Sequence, residues 1–163
     1  MKADVAPEHA WLRRLVGEWT FEMVSFDGAP LPADKLGGVE SVRALGDIWV
    51  IAEGRGQMPD GTPTQTQMLL GYVPAQRAFV GTWIGSMMNH LWIYRAGELD
   101  ATQRILTLYA EGPSFDSTPG KLAQYRDVIE FVDADERLLH GNVQGADGQW
   151  TRFMTARYRR TGR

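Results

Sequence analysis

The chain has 163 residues, a formal net charge of −3 and no cysteine. That length suits one domain with a sizeable core. The charge gives no electrostatic case for nucleic acid, and the missing thiols exclude disulfides, thiolate metal sites and cysteine nucleophiles. Hydrophobic content of 44% and charged content of 23% are ordinary for a globular protein. No stretch is long and apolar enough for a bilayer span, and the first residues lack the apolar run of a secretory signal. A cytoplasmic protein with no membrane partner is expected. The basic tail, Arg157, Arg159, Arg160 and Arg163, reads as a solvated chain end.

Pro7 suits the first turn of a helix, where its missing N–H loses nothing. Trp11, Leu12, Leu15 and Val16 form one apolar stripe, and Gly17 can end the helix. The spacing predicts a short helix over about 7–16. From Gly17 the period falls to two, with Trp19, Phe21 and Met23 alternating against Thr20, Glu22 and Val24. Asp27 to Gly38 is a loop by its Pro and Gly content. Strand-like runs follow at Val39–Leu45, Ile48–Gln57, Thr64–Tyr72, Ala78–Ser86, His90–Ala96, Ile105–Glu111, Ala123–Val132, Leu138–Val143 and Trp150–Arg159. Turn chemistry separates them, at Asp60-Gly61, Val73-Pro74, Ala96-Gly97, Pro119-Gly120, Asp133–Glu136 and Asp147-Gly148.

With no crossover helices, consecutive strands pair antiparallel. About ten strands must hide their edges, and closure does so. The prediction is an all-β, antiparallel up-and-down barrel with a short N-terminal helix. A two-sheet sandwich is the alternative layout, but it more often needs longer connections.

The stretch from Phe79 to Tyr94 carries two of the six tryptophans and the only Met-Met pair. Phe79, Gly81, Trp83 and Gly85 share one side. After Met87-Met88-Asn89 the alternation resumes, with His90, Trp92 and Tyr94 on one face. A neutral imidazole among aromatic rings can move a proton or contact a ligand. Glu53, two residues on from Ile51, and Glu111, on the face of Ile105, Thr107 and Tyr109, are carboxylates that need a partner if buried. Arg55, Arg126 and Arg157 are the candidates for that partner. Three histidines, His9, His90 and His140, without paired spacing give no metal motif.

Leu15-Val16-Gly17-Glu18-Trp19-Thr20 resembles the opening of the calycin barrels, which include lipocalins and fatty-acid-binding proteins. In those families the tryptophan closes one end of the barrel. Thr155-Ala156-Arg157-Tyr158-Arg159 faintly resembles the last strand of fatty-acid-binding proteins, where Arg-x-Tyr holds a carboxylate; here Arg157 and Tyr158 are adjacent and face opposite sides. A closer likeness covers nearly the whole chain. It rests on His9 with Leu15–Trp19, Leu45-Gly46-Asp47-Ile48-Trp49-Val50, Gly71-Tyr72-Val73-Pro74, Phe79-Val80-Gly81-Thr82-Trp83, Ser86–Trp92, Glu111-Gly112-Pro113-Ser114-Phe115 and Phe153-Met154-Thr155-Ala156. These pieces resemble a bacterial family known only as a domain of unknown function, number fifteen-seventy-nine. The resemblance implies a lipocalin-like barrel and implies no activity. A remoter likeness is to nitrobindin-type haem barrels, but the last strand has no histidine, so no cofactor is expected.

The leading expectation is a binding protein that takes a small apolar ligand into its lumen, contacted by His90, Trp92, Trp83, Met88, Glu53, Glu111 and Arg157. The rivals are a hydrolase or isomerase using His90 with one carboxylate, Glu111 being the candidate, a haem-binding barrel, and an interaction module with a packed lumen. Residue order leaves open the ligand, the presence of catalysis, whether the chain forms a homodimer, and which strand face points inward.

Overall fold

The computed structural model describes residues 3–31, 36–116 and 118–163. Pro32 to Lys35 of the predicted loop lie outside the described residues. A helix, α1 (Pro7–Leu12), and a 3₁₀ turn (Arg13–Leu15) lead into eleven strands among those residues. They are β1 (Gly17–Phe26), β2 (Ala29–Pro30), β3 (Gly37–Leu45), β4 (Trp49–Gln57), β5 (Pro63–Val73), β6 (Ala78–Gly85), β7 (Trp92–Leu99), β8 (Ile105–Pro113), β9 (Leu122–Phe131), β10 (Glu136–Gln144) and β11 (Trp150–Gly162). The predicted helix is thus α-helical only to Leu12 and tightens before Gly17, which sits at φ +136°.

Every pairing is antiparallel. From β3 to β11 each strand bonds to the next, and β1 bonds to both β3 and β11. That last pair closes ten strands into a barrel. β2 is an extra two-residue strand on the end of β1, within the stretch expected as loop. Closure leaves the ten strands no free edge, and alternate side chains must point into the lumen. On β8 the inward row is Leu106, Leu108 and Ala110, all buried. Its outward row is Ile105, Thr107, Tyr109 and Glu111.

The two barrel ends differ. At one end α1 lies across the opening as a plug, with Trp11, Leu12 and Leu15 buried. The Trp11 ring meets Phe79 and Phe131 edge-on, at 6.0 and 5.5 Å between centroids, and its Nε1–H donates to the Gln103 carbonyl at 2.9 Å. His9 donates from Nε2 to the Tyr72 carbonyl at 2.9 Å while its Nδ1 accepts the Ala6 N–H at 2.8 Å. Those two bonds fix one neutral tautomer and tie the helix to β5.

Trp19 completes the plug. It is 1% exposed, and its Nε1–H donates to the Leu15 carbonyl at 2.8 Å. The guanidinium of Arg160 lies 4.1 Å from its ring centroid and that of Arg137 4.7 Å. Arg160 also donates to the carbonyls of Arg14 (2.7 Å), Val16 and Ala134, so it caps the turn that follows α1. This corrects the reading of the tail as wholly solvated: Arg160 is a buried clamp, and Arg157 and Arg159 pair with Glu22 and Glu136 on the outer wall. Desolvation and π-contact make such a cation worth more than at an exposed site. Among the described residues no helix is long and apolar enough to cross a membrane.

Trp19→Ala is expected to cost about 3–5 kcal/mol, the usual loss for a fully buried aromatic. Urea unfolding followed by circular dichroism measures it. A loss below about 1 kcal/mol would show that Trp19 does not hold the plug.

Candidate ligand cavity

Inside the barrel lies a cavity of about 830 Å³. Phe26, Met58, Met87, Met88 and Phe115 line it and are also solvent-exposed, so it opens at the end away from α1. Its wall is mostly apolar, with Val42, Val50, Leu70 and Ile129 among the buried contributors.

Side chains stand in layers from the mouth inward because strand neighbours two apart share a face. At the rim are Met87, Met88 and His90. Below them Trp92 of β7 meets Tyr125 of β9 edge-on, at 4.8 Å and 83°. Below those, two residues on in each strand, the Tyr94 hydroxyl donates to Asp127 Oδ2. β8 runs between β7 and β9 and makes this reach feasible. Its inward positions here are Ala110 and Gly112, and a Cβ on Gly112 would stand 2.4 Å from the Trp92 ring. Glycine in a strand interior is disfavoured unless another group approaches closely, and here an indole does.

Nearer the plug, Arg137 of β10 pairs with Glu40 of β3, both largely buried. The Arg137 guanidinium also lies 3.9 Å from the Tyr158 ring centroid. A buried pair of this kind is tolerated when each charge has close partners.

Asp127 differs. Its partly exposed surface faces the cavity, not bulk solvent. Among the described residues no basic group lies within ion-pair distance of it, and Tyr94 is its only side-chain partner. Burial pushes its carboxyl up to about 6, against the opposing pull of the Tyr94 hydrogen bond. Burial, and then the Asp127 charge, push the Tyr94 phenol well above its ordinary value. The Tyr158 phenol is also raised, first by burial and next by Glu40, with Arg137 acting the other way.

Of the residues singled out from the sequence, Trp83, Met88, His90 and Trp92 line the cavity. His90 lies in the connection between β6 and β7, not in a strand as expected. Its ring meets Trp92 edge-on at 4.8 Å, and Nε2 donates to the Glu111 carbonyl at 3.1 Å. Trp92 Nε1–H in turn donates to Met88 Sδ at 3.1 Å, holding the thioether at the rim.

Glu53, Glu111 and Arg157 are corrected: all three side chains point outward. Glu53 is exposed, between the inward Ala52 and Gly54. The Glu111 carboxylate accepts from Gln124 Nε2 at 2.9 Å on the outer wall. Arg157 lies beside Glu136 at 3.3 Å, while its neighbours Ala156 and Tyr158 face the lumen. The reason is phase, since one residue's shift along a strand exchanges the two faces.

Glu40, Asp127, Arg137 and Tyr158 were missed. For Asp127 a signal existed. Tyr125, Asp127, Ile129 and Phe131 form a period-two row in which one acid interrupts large apolar residues, the pattern of an inner face.

A closed antiparallel barrel, plugged at one end and hollow and open at the other, belongs to the class of cavity-bearing β-barrels. The chain belongs to the family described as protein of unknown function (DUF1579), whose model matches residues 4–160. No curated protein matches it.

The raised Asp127 carboxyl makes stability depend on pH. It titrates near 6 in the fold and near its ordinary value of 3.8 in the unfolded chain. Between those values the folded state binds more protons, so stability falls as pH rises through the window. Asp127→Asn is expected to gain on the native protein by about 2–3 kcal/mol between pH 4 and pH 7. Urea midpoints at each pH measure this. A difference that stays constant with pH contradicts it.

Proposed function

We propose that this protein is a lipocalin-like binding protein that holds one small apolar or amphipathic molecule in its lumen. The observation that carries the reading is the cavity of about 830 Å³, apolar in its walls and open at one end. Ligand pockets typically measure roughly 300–1,000 Å³ and combine apolar walls with a few polar groups. The flexible thioethers of Met87 and Met88 suit a mouth that must adapt to different shapes. An interaction module would call for a packed lumen, and this lumen is hollow. The enzymatic reading built on His90 and Glu111 loses its acid, because only the Glu111 backbone reaches His90. Among the described residues His90 is the one histidine lining the cavity, and its Nε2 is engaged on that carbonyl, so the donor set does not fit a haem held through that atom.

A neutral solvatochromic dye tests the reading. The expected result is a saturable blue shift with a stoichiometry of about one dye per chain. Leu139 lines the cavity, and Leu139→Trp should weaken uptake about tenfold or more by occupying that space, while the urea midpoint changes little. A native protein that takes up no dye, or a variant that takes it up equally well, contradicts the proposal.

A further inference from the structure

Resting on that reading, we infer that the lumen selects a cation: an amphipathic molecule with a protonated amine, its nitrogen against Asp127 and its apolar body among Trp92, Tyr125 and the methionines of the mouth. The charges in the lumen point that way. Among the described residues, the carboxylates and guanidinium that line the cavity are Glu40, Arg137 and Asp127, with the imidazole of His90 at the rim. Arg137 is already paired with Glu40. Counted over those residues, Asp127 leaves the lumen with one uncompensated negative charge whenever it is ionised.

One oxygen of Asp127 accepts from Tyr94; the other has no hydrogen-bond donor among the described side chains. Three ligand head groups can be compared against that arrangement. A carboxylate would enter a lumen of its own sign, and it would have to displace Glu40 to reach Arg137. A hydroxyl would supply one hydrogen bond and leave the charge in place. A protonated amine supplies donors and the opposite charge together, in surroundings where water screens the pair poorly. The neighbouring rings favour the same sign, because aromatic faces attract cations. Trp92 and Tyr125 stand one layer above Asp127, and Tyr158 lies near enough for the Asp127 charge to act on it.

The groups that face Asp127 bound its pH response. They are Tyr94 from β7, Tyr158 from β11, and Arg137 of β10 with Glu40 of β3. β8 contributes Leu108 and Ala110, which do not titrate. Both phenols are raised and stay neutral across the range tested. A change in amine affinity between pH 5 and 8 then reports Asp127, with His90→Gln as the control for the rim imidazole.

The experiment is calorimetric titration with nonylamine, nonanol and nonanoate, each below its micellar concentration, near pH 7.5 and pH 5.0. At the higher pH nonylamine should bind about tenfold or more tighter than nonanol, and nonanoate weakest of the three. At the lower pH nonylamine should weaken about tenfold, because Asp127 must first release its proton. Asp127→Asn should abolish the amine preference, bringing nonylamine to the affinity of nonanol, and a cooperative urea transition shows that the variant is folded. Equal affinities for amine and alcohol, tightest binding of nonanoate, or an amine preference that survives Asp127→Asn would overturn the inference and leave the lumen reading standing. No binding of any of the three would instead count against the lumen reading itself.

Discussion

The pairing of β1 with β11 is the constraint on which the rest of this molecule depends. Once Trp19 lies opposite Arg160 and Phe21 opposite Tyr158, the sheet has closed and its ten strands have no edge to leave bare. Closure then commits every second side chain to the interior. Small inward residues such as Ala52, Ala110 and Gly112 do not fill that interior, so it stays hollow. The same pairing brings Arg160 over Trp19 and onto the carbonyls that follow α1. One contact between the chain's first and last strands thus makes the lumen and helps seal one end of it.

The polar groups inside fall into two kinds. Glu40 and Arg137 neutralise one another close to the plug, and the Arg137 guanidinium packs on the rings of Trp19 and Tyr158. That pair supports the structure. Asp127 does not serve the fold in that way, since it has a single neutral side-chain partner and a carboxyl raised by burial. An ionised group kept in an apolar interior without an opposite charge costs stability, and such groups concentrate at functional sites. Among the described residues the lumen therefore pairs a stable floor with one carboxyl, nearer the mouth, that has no opposite charge beside it.

Most of the architecture was legible in the sequence because its signals are local, although Ala96-Gly97, expected as a turn, lies inside β7 and pairs with Tyr109 and Leu108. Asp60-Gly61 and Asp147-Gly148 mark turns by the φ > 0 they allow, and Gly61 and Gly148 adopt it, at 85° and 79°. Period two marks strands whichever face is buried. The inward phase was not legible on β4, β8 and β11. The outer wall is itself partly apolar there: Trp49 and Ile51 share the row of Glu53, and Ile105 and Tyr109 that of Glu111. A row of large residues then no longer tells inside from outside. Aromatic density did locate the mouth, since Trp83, Met88, His90 and Trp92 share the cavity. Arg160 and Arg137 were hidden for another reason. A guanidinium that packs on an indole looks, in sequence, like any solvated charge, and only the folded register reveals the ring beneath it.

This barrel is hollow, and among the described residues Asp127 is the one acid without a basic partner in a cavity that opens away from α1. A crystal structure with an alkylamine carrying a terminal bromine tests it most directly, because anomalous scattering fixes the tail while the density fixes the nitrogen. The expected result is nitrogen within hydrogen-bond distance of Asp127 and bromine near Met87, Met88 and Phe115. Bromine found only on the outer wall, or a lumen filled by repacked side chains, would contradict it.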